Sequence, residues 1–251
     1  MDLALAGRKA VVTGASRGIG RAIAEGLARE GVDLAICARG VDGLERARNE
    51  LAAHGVAVFA RQVDVSDGEA LRAFVSSAGD ELAGLDILVS NPTGAIGADE
   101  DAWRSMFEAD LMAAVRSSAA ARPFLAASDA ASVVFISTIA AIETFAGPVS
   151  YGPLKAGTIQ YAKELSREAA SEGIRVNAVS PGPIFFEGGP WDRYRRELPE
   201  RYEQTLAQCP QGRFGTPEEV SNAVVFLSSS AASLITGINL VVDGGFTKRV
   251  F

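Results

Sequence analysis

The chain has 251 residues, 48% hydrophobic and 22% charged, enough for one large domain with a proper core. Its net charge of -7 and pI near 4.9 repel phosphate backbones and anionic lipids, which argues against nucleic acid and membrane surfaces as partners. Two cysteines, Cys37 and Cys209, and one histidine, His54, supply neither a disulfide framework nor metal-ligand spacing, so no metal is expected.

The start, MDLALAGRKAVVTG, lacks the apolar region and cleavage site of a signal peptide, and VVFISTIAAI is too short to span a bilayer. A soluble cytoplasmic protein is expected. Short β-branched runs recur along the chain at 9–14, 33–38, 56–63, 86–90, 132–137, 174–180 and 238–244. Several are apolar throughout rather than alternating, which suits strands buried on both faces of a parallel sheet. Helical patterns lie between them. In GRAIAEGLAREG, Ile23 and Leu27 share a face and Gly31 is a plausible stop. Strand and helix alternating to the end predict a doubly wound α/β domain spanning 1–251. Residues 183–214 break the rhythm and carry Phe185, Phe186, Trp191, Tyr194 and Tyr202. So long a connection reads as a substrate lid, with a charged surface helix as the plainer reading.

The first strand runs into TGASRGIG. Gly14, Gly18 and Gly20, with Ser16, Arg17 and Ile19 among them, sit where strand turns into helix. Glycines there let backbone approach a pyrophosphate, and the helix start offers unpaired N–H groups. An NAD site usually presents an acidic residue about 20 positions on. Here the second strand ends ICARG, with Ala38 and Arg39 in that place. Two guanidinium groups, Arg17 and Arg39, without a carboxylate suit a 2′-phosphate, so NADP(H) is preferred over NAD(H). Solvated surface arginines are the competing reading.

In SYGPLKAG, Tyr151 and Lys155 stand at i and i+4, roughly 5–6 Å apart at Cβ on a helix. A cation beside a phenol favours phenolate, which suits Tyr151 to move a proton at a carbonyl. Pro153 is tolerated if Ser150 caps the helix, because the first turn has no N–H partners to lose.

TGASRGIG, Asp64-Val65, Asn91, Tyr151-x-x-x-Lys155, SPG at 180–182 and VDGG at 242–245, in this order, resemble the classical short-chain dehydrogenase/reductase family, and among it 3-oxoacyl-carrier-protein reductases. The closing stretch RFGTPEEVSNAVVFLSSSAASLITGINLVVDGG is also similar. The resemblance implies a three-layer Rossmann-type domain with a seven-stranded parallel sheet, assembled as a homotetramer or homodimer. It implies Tyr151 as acid/base and Lys155 as the holder of the nicotinamide ribose. The family's serine aligns with Thr138, with Ser137 beside it as the fallback. Asp64 and Val65 would meet the adenine, Asn91 the adenosine ribose, and Pro181, Gly182 and Ile184 the nicotinamide.

Three departures stand out. The family's catalytic asparagine aligns with Asp110 in FEADLMA; an aspartate accepts the same hydrogen bonds but cannot donate when ionised. The relay through it either survives with altered pH dependence or gives way to a structural role. The usual NNAG reads SNPTG, and a usual threonine is Phe186. Phe185, Phe186 and Trp191 are candidate substrate contacts. The leading expectation is an NADPH-dependent ketoreductase acting on a small, apolar, ring-bearing or acyl ketone. An NAD-dependent alcohol dehydrogenase and a catalytically impaired dinucleotide-binding regulator are the alternatives. A hydrolase is least expected, since the glycine loop would have no role.

Overall fold

A computed structural model describes residues 2–145 and 147–250. In chain order the elements are β1 Lys9–Thr13, α1 Gly18–Arg29, β2 Asp33–Ala38, α2 Val41–Ala52, β3 Val58–Gln62, α3 Gly68–Glu81, β4 Ile87–Ser90 and α4 Glu100–Met106. A turn of π-helix, Phe107–Met112, joins α4 to α5 Ala113–Leu125. Then follow β5 Ser132–Ile136, α6 Tyr151–Glu168, β6 Arg175–Pro181, α7 Pro190–Glu197, α8 Pro199–Gln208, α9 Pro217–Ser228 and β7 Asn239–Val242.

Among the described residues the strands form one seven-stranded sheet in the order β3-β2-β1-β4-β5-β6-β7, every pair parallel. The predicted strands all form, with ends that match the expected bounds to within one or two residues; β6 runs on to Pro181. Successive residues of β1 enter opposite cores. Ala10 and Val12 pack with Ile23 and Leu27 of α1, Leu51 of α2 and Val224 of α9. Val11 packs with Phe74 of α3, Ala121 of α5 and Ala162 of α6. A strand covered on both faces needs apolar residues at every position, which is why these runs do not alternate.

The strand order reverses between β1 and β4, and a crevice opens there at the carboxyl ends of the strands. The Thr13 hydroxyl at the end of β1 accepts from the Asn91 N–H just past β4 at 3.2 Å, so the two lips are pinned together. The 183–214 connection holds two helices, α7 and α8, where the plainer reading expects one charged surface helix. Pro199 starts the second, α8, because its ring cannot extend α7. The far end of this connection is fastened by α9, whose Thr216/Glu219 capping box is reinforced by Arg213 at 2.6 and 2.8 Å.

Arg213, then the Thr216 N–H, draws the Glu219 carboxyl from 4.5 down to about 2. A carboxyl lowered on folding contributes stability that is present above 4.5 and lost as pH falls towards 2. Wild type should therefore lose more melting temperature than Glu219→Gln across that window. Parallel slopes of Tm against pH for the two proteins would contradict this.

Candidate active site

The glycine loop is shaped by its neighbours. Gly14 has φ +67, and its N–H and that of Ala15 donate to the Cys37 carbonyl at 2.9 and 3.2 Å. A Cβ on Gly20 would collide with Asn91 Nδ2 and the Gly14 carbonyl, so the residue must be glycine for this close approach. Asn91 Nδ2 donates to that same carbonyl at 3.2 Å. No side chain caps α1, and its first turn holds no acidic residue. Its leading N–H groups and positive dipole end are thus left for an anion.

A cleft of about 590 Å³ runs from this loop across the sheet. Arg17, Arg39, Asp64 and Val65 line one part; Thr93, Thr138, Tyr151, Lys155, Gly182, Ile184, Phe186 and Trp191 line another. Asp64 is held below the usual carboxylate range chiefly by the Ser66 hydroxyl, then the Ser66 N–H, with Arg39 adding its charge. Gly182 is required by packing: a Cβ there would meet Asp243 Cα at 2.7 Å. Asp243 in turn accepts from the Gly245 and Thr247 N–H groups and the Thr247 hydroxyl. The SPG and VDGG motifs are therefore two sides of one contact.

Tyr151 opens α6 and Lys155 follows one turn later, both on the cleft wall. Pro153 falls in the first turn, as the spacing requires. Ser150, however, does not cap with its side chain. Its backbone is already helical (φ -57, ψ -26), which aims the hydroxyl away from the helix's free N–H groups. That hydroxyl instead accepts from the Gly97 N–H at 3.3 Å.

The choice between two hydroxyls is decided by partners. Ser137 Oγ is buried and donates to the Lys155 carbonyl at 3.0 Å, so its proton is committed. Thr138 Oγ1 accepts from the Ala140 N–H at 3.2 Å, which leaves its O–H to donate into the cleft. Of the two, only Thr138 keeps a proton free on the cleft side.

Asp110 stands behind Lys155, not on the cleft wall. The π turn that carries it sits next to the site, as such turns often do. Lys155 Nζ lies 2.7 Å from Asp110 Oδ1, 2.8 Å from the Ile136 carbonyl and 3.4 Å from the Pro92 carbonyl. Asp110 Oδ2 accepts from the Gly94 N–H at 2.8 Å, while Oδ1 has no partner among the described residues beyond the ammonium. Both side chains are buried, at 0% and 5% exposure. At this position, where the sequence leaves open a relay or a structural role, the structure has a direct buried ion pair, tied to the altered SNPTG loop through Pro92 and Gly94.

The aromatic residues of the 183–214 connection divide. Trp191 and Phe186 line the cleft. Phe185 does not: it packs edge-on to Tyr202 at 6.5 Å and under the Arg195 guanidinium at 5.0 Å. Phe185 N–H donates to the Gly215 carbonyl at 2.8 Å, and this extended pairing sends adjacent side chains to opposite sides. Phe214, 4.9 Å from both Trp191 and Tyr202, joins the inner wall to that outer cluster. Thr93 of the altered SNPTG loop lies on the cleft wall; Phe214 carries no local pattern in the sequence that marks it.

A doubly wound parallel sheet with an uncapped glycine-loop helix at its switch point, and a tyrosine and lysine one turn apart beside it, defines a dinucleotide-dependent oxidoreductase. The chain belongs to the short-chain dehydrogenase/reductase family: residues 14–247 match the family model described as enoyl-(acyl carrier protein) reductase. It is 36% identical to isoepoxydon dehydrogenase of Aspergillus clavatus, over 96% of this chain and 95% of that one. It is also 36% identical to the 3-oxoacyl-[acyl-carrier-protein] reductase of Vibrio cholerae, over 96% and 98%. Among solved structures, L-sorbose reductase of Gluconobacter frateurii complexed with NADPH and L-sorbose matches with a TM-score of 0.92 and 34% identity, over the whole of both chains.

Proposed function

We propose that this protein is an NADPH-dependent ketoreductase, reducing a small ketone to an alcohol. One observation carries the reading: Thr138, with its hydroxyl proton uncommitted, shares a cleft wall with Tyr151 and with the glycine loop. The residues fit the cofactor. Unpaired N–H groups at α1 would take the pyrophosphate, and Arg17 and Arg39, with no acidic residue ending β2, would take a 2′-phosphate. The L-sorbose reductase structure, which contains NADPH, supports the same choice.

When bound, the nicotinamide supplies a hydride to the carbonyl carbon. Tyr151 gives its phenolic proton to the carbonyl oxygen, so hydride and proton together convert C=O to CH–OH. Thr138 donates a hydrogen bond to that oxygen as charge develops on it. Lys155 orients the nicotinamide ribose, itself held by Asp110 and the Ile136 carbonyl. Ile184, buried and paired with Gly215, walls the nicotinamide side. Trp191 and Phe186 give the substrate end an apolar, flat surface suited to a ring or acyl chain. Assembly as a homotetramer or homodimer accompanies this reading, and sedimentation tests it.

Following NADPH oxidation against a panel of cyclic ketones, ketoses and β-keto thioesters tests the function. Binding without turnover on any of them would leave a regulator instead. The cofactor choice has its own test. A charge-assisted hydrogen bond is worth about 1.5–3 kcal/mol. Arg39→Asp should therefore raise the NADPH Kd about 10- to 100-fold and leave NADH nearly unchanged. Equal losses for both dinucleotides, or none, would favour the NAD-dependent dehydrogenase.

A further inference from the structure

Phe186 stands where the family usually has a small hydroxyl residue, and its ring is clasped between two glycines. Its carbons lie 2.6–3.0 Å from where a Cβ on Gly18 would stand, and 2.8–2.9 Å from where one on Gly189 would stand. Gly18 begins α1, the phosphate-facing helix; Gly189 immediately precedes α7, the first lid helix. Gly18 has φ +56, a conformation that favours glycine in its own right. Gly189 does not: at φ -82 and ψ 176 its backbone suits any residue. A Cβ there would meet the aromatic ring, which would have to move aside.

The turn that presents the ring is tied on every side. Gly189 N–H donates to the Phe186 carbonyl at 3.0 Å and closes the turn. Gly188 N–H donates to the buried Asp192 carboxylate at 3.1 Å. The Asp192 carboxyl is held below its ordinary range first by that N–H, then by Arg196 and Arg195. The Gly188 carbonyl accepts from Arg17 Nη1 at 3.3 Å, and Arg17 belongs to the glycine loop. The lid is thus joined to the loop by one apolar wedge and one hydrogen bond. Both Phe186 and Arg17 also line the cleft.

We propose that Phe186 is a positioning residue that couples the lid to the dinucleotide loop, so that the cofactor leaves only when the ring disengages from Gly18 and Gly189. The inference rests on the reading of this cleft as an NADPH site. An apolar ring against Gly18 shields part of the helix N-terminus from water, and charge–dipole attraction strengthens where water is displaced. Opening the lid must break that packing, so the wedge sets the rate of release more than the rate of binding. A hydroxyl side chain in the same place has too little apolar area to do this.

The test is a double-mutant cycle on NADPH release. Pre-bound NADPH is chased with excess NADP+ and its fluorescence decay followed in wild type, Phe186→Ala, Gly189→Ala and the double variant. Phe186→Ala should release NADPH about tenfold faster or more, the scale set by losing a packed aromatic side chain. Gly189→Ala should act in the same direction, because its methyl evicts the ring. The double variant should be no faster than the faster single one, since residues sharing one contact are not additive. Phe186→Leu, which keeps apolar bulk, should fall between and stands in if the alanine variant does not fold. Wild-type release from Gly189→Ala, additive effects, or a Phe186→Ala change confined to ketone KM each overturn the coupling. If wild type binds no NADPH, the site reading fails with it; if it binds and the cycle is flat, only the coupling fails.

Discussion

Tyr151→Phe should slow ketone reduction by orders of magnitude and leave NADPH binding intact. The phenol is half-buried at the first residue of α6, on the cleft wall with Thr138 and Lys155. Phenylalanine keeps the ring and its packing and deletes only the proton donor. A positioned general acid contributes about 10²–10⁴-fold, so kcat should fall by that factor. Thr138 can still polarise the carbonyl, which leaves a residual rate. The loss belongs in kcat and kcat/KM together, as for a group that acts in the transition state. Fluorescence titration with NADPH and a thermal melt provide the controls. Undiminished turnover on a ketone that the parent reduces would sink the assignment of the acid.

Asp110→Ala should be the most destabilising substitution at the site. It would leave the buried Lys155 ammonium with carbonyl partners only and the Gly94 N–H without its acceptor. Breaking a buried ion pair from one side costs about 3–5 kcal/mol, because a charge remains without compensation. Urea unfolding should show the midpoint drop with an unchanged m-value. Asp110→Asn keeps an oxygen for the Gly94 N–H and restores the residue usual in the family. It should be milder and still reduce the ketone. Asp110→Ala combined with Lys155→Ala should recover part of the lost stability, since neither charge is left alone. An Asp110→Ala protein as stable as wild type would mean that the pair contributes nothing to the fold.

The outcome at Asp110 shows what a motif alignment can and cannot carry. The substitution is legible in FEADLMA, but the contact is not. It depends on a π turn that places one carboxylate oxygen on an ammonium carried by another helix and the other on a loop N–H. Thr138 and Ser137 give a second case. Both are hydroxyls at the end of β5, and only the Lys155 carbonyl beside Ser137 decides which keeps a proton to donate. Ser150 is a third: a good capping residue whose hydroxyl is drawn to Gly97 instead. Phe185 and Phe186 are adjacent and chemically identical, yet one packs outward against Tyr202 and the other lines the cleft.

Apolar runs without alternation were enough to read an α/β sheet, and the glycines at the first strand–helix turn and the tyrosine one helical turn before a lysine already marked residues that line one cleft. Each is a local property, imposed by backbone geometry or by burial on both strand faces. Which hydroxyl donates, what holds the lysine, and which lid aromatic faces the cleft were decided by residues far along the chain. A hydrogen bond or ion pair forms only between groups that packing brings within about 3 Å, and linear order does not record that distance.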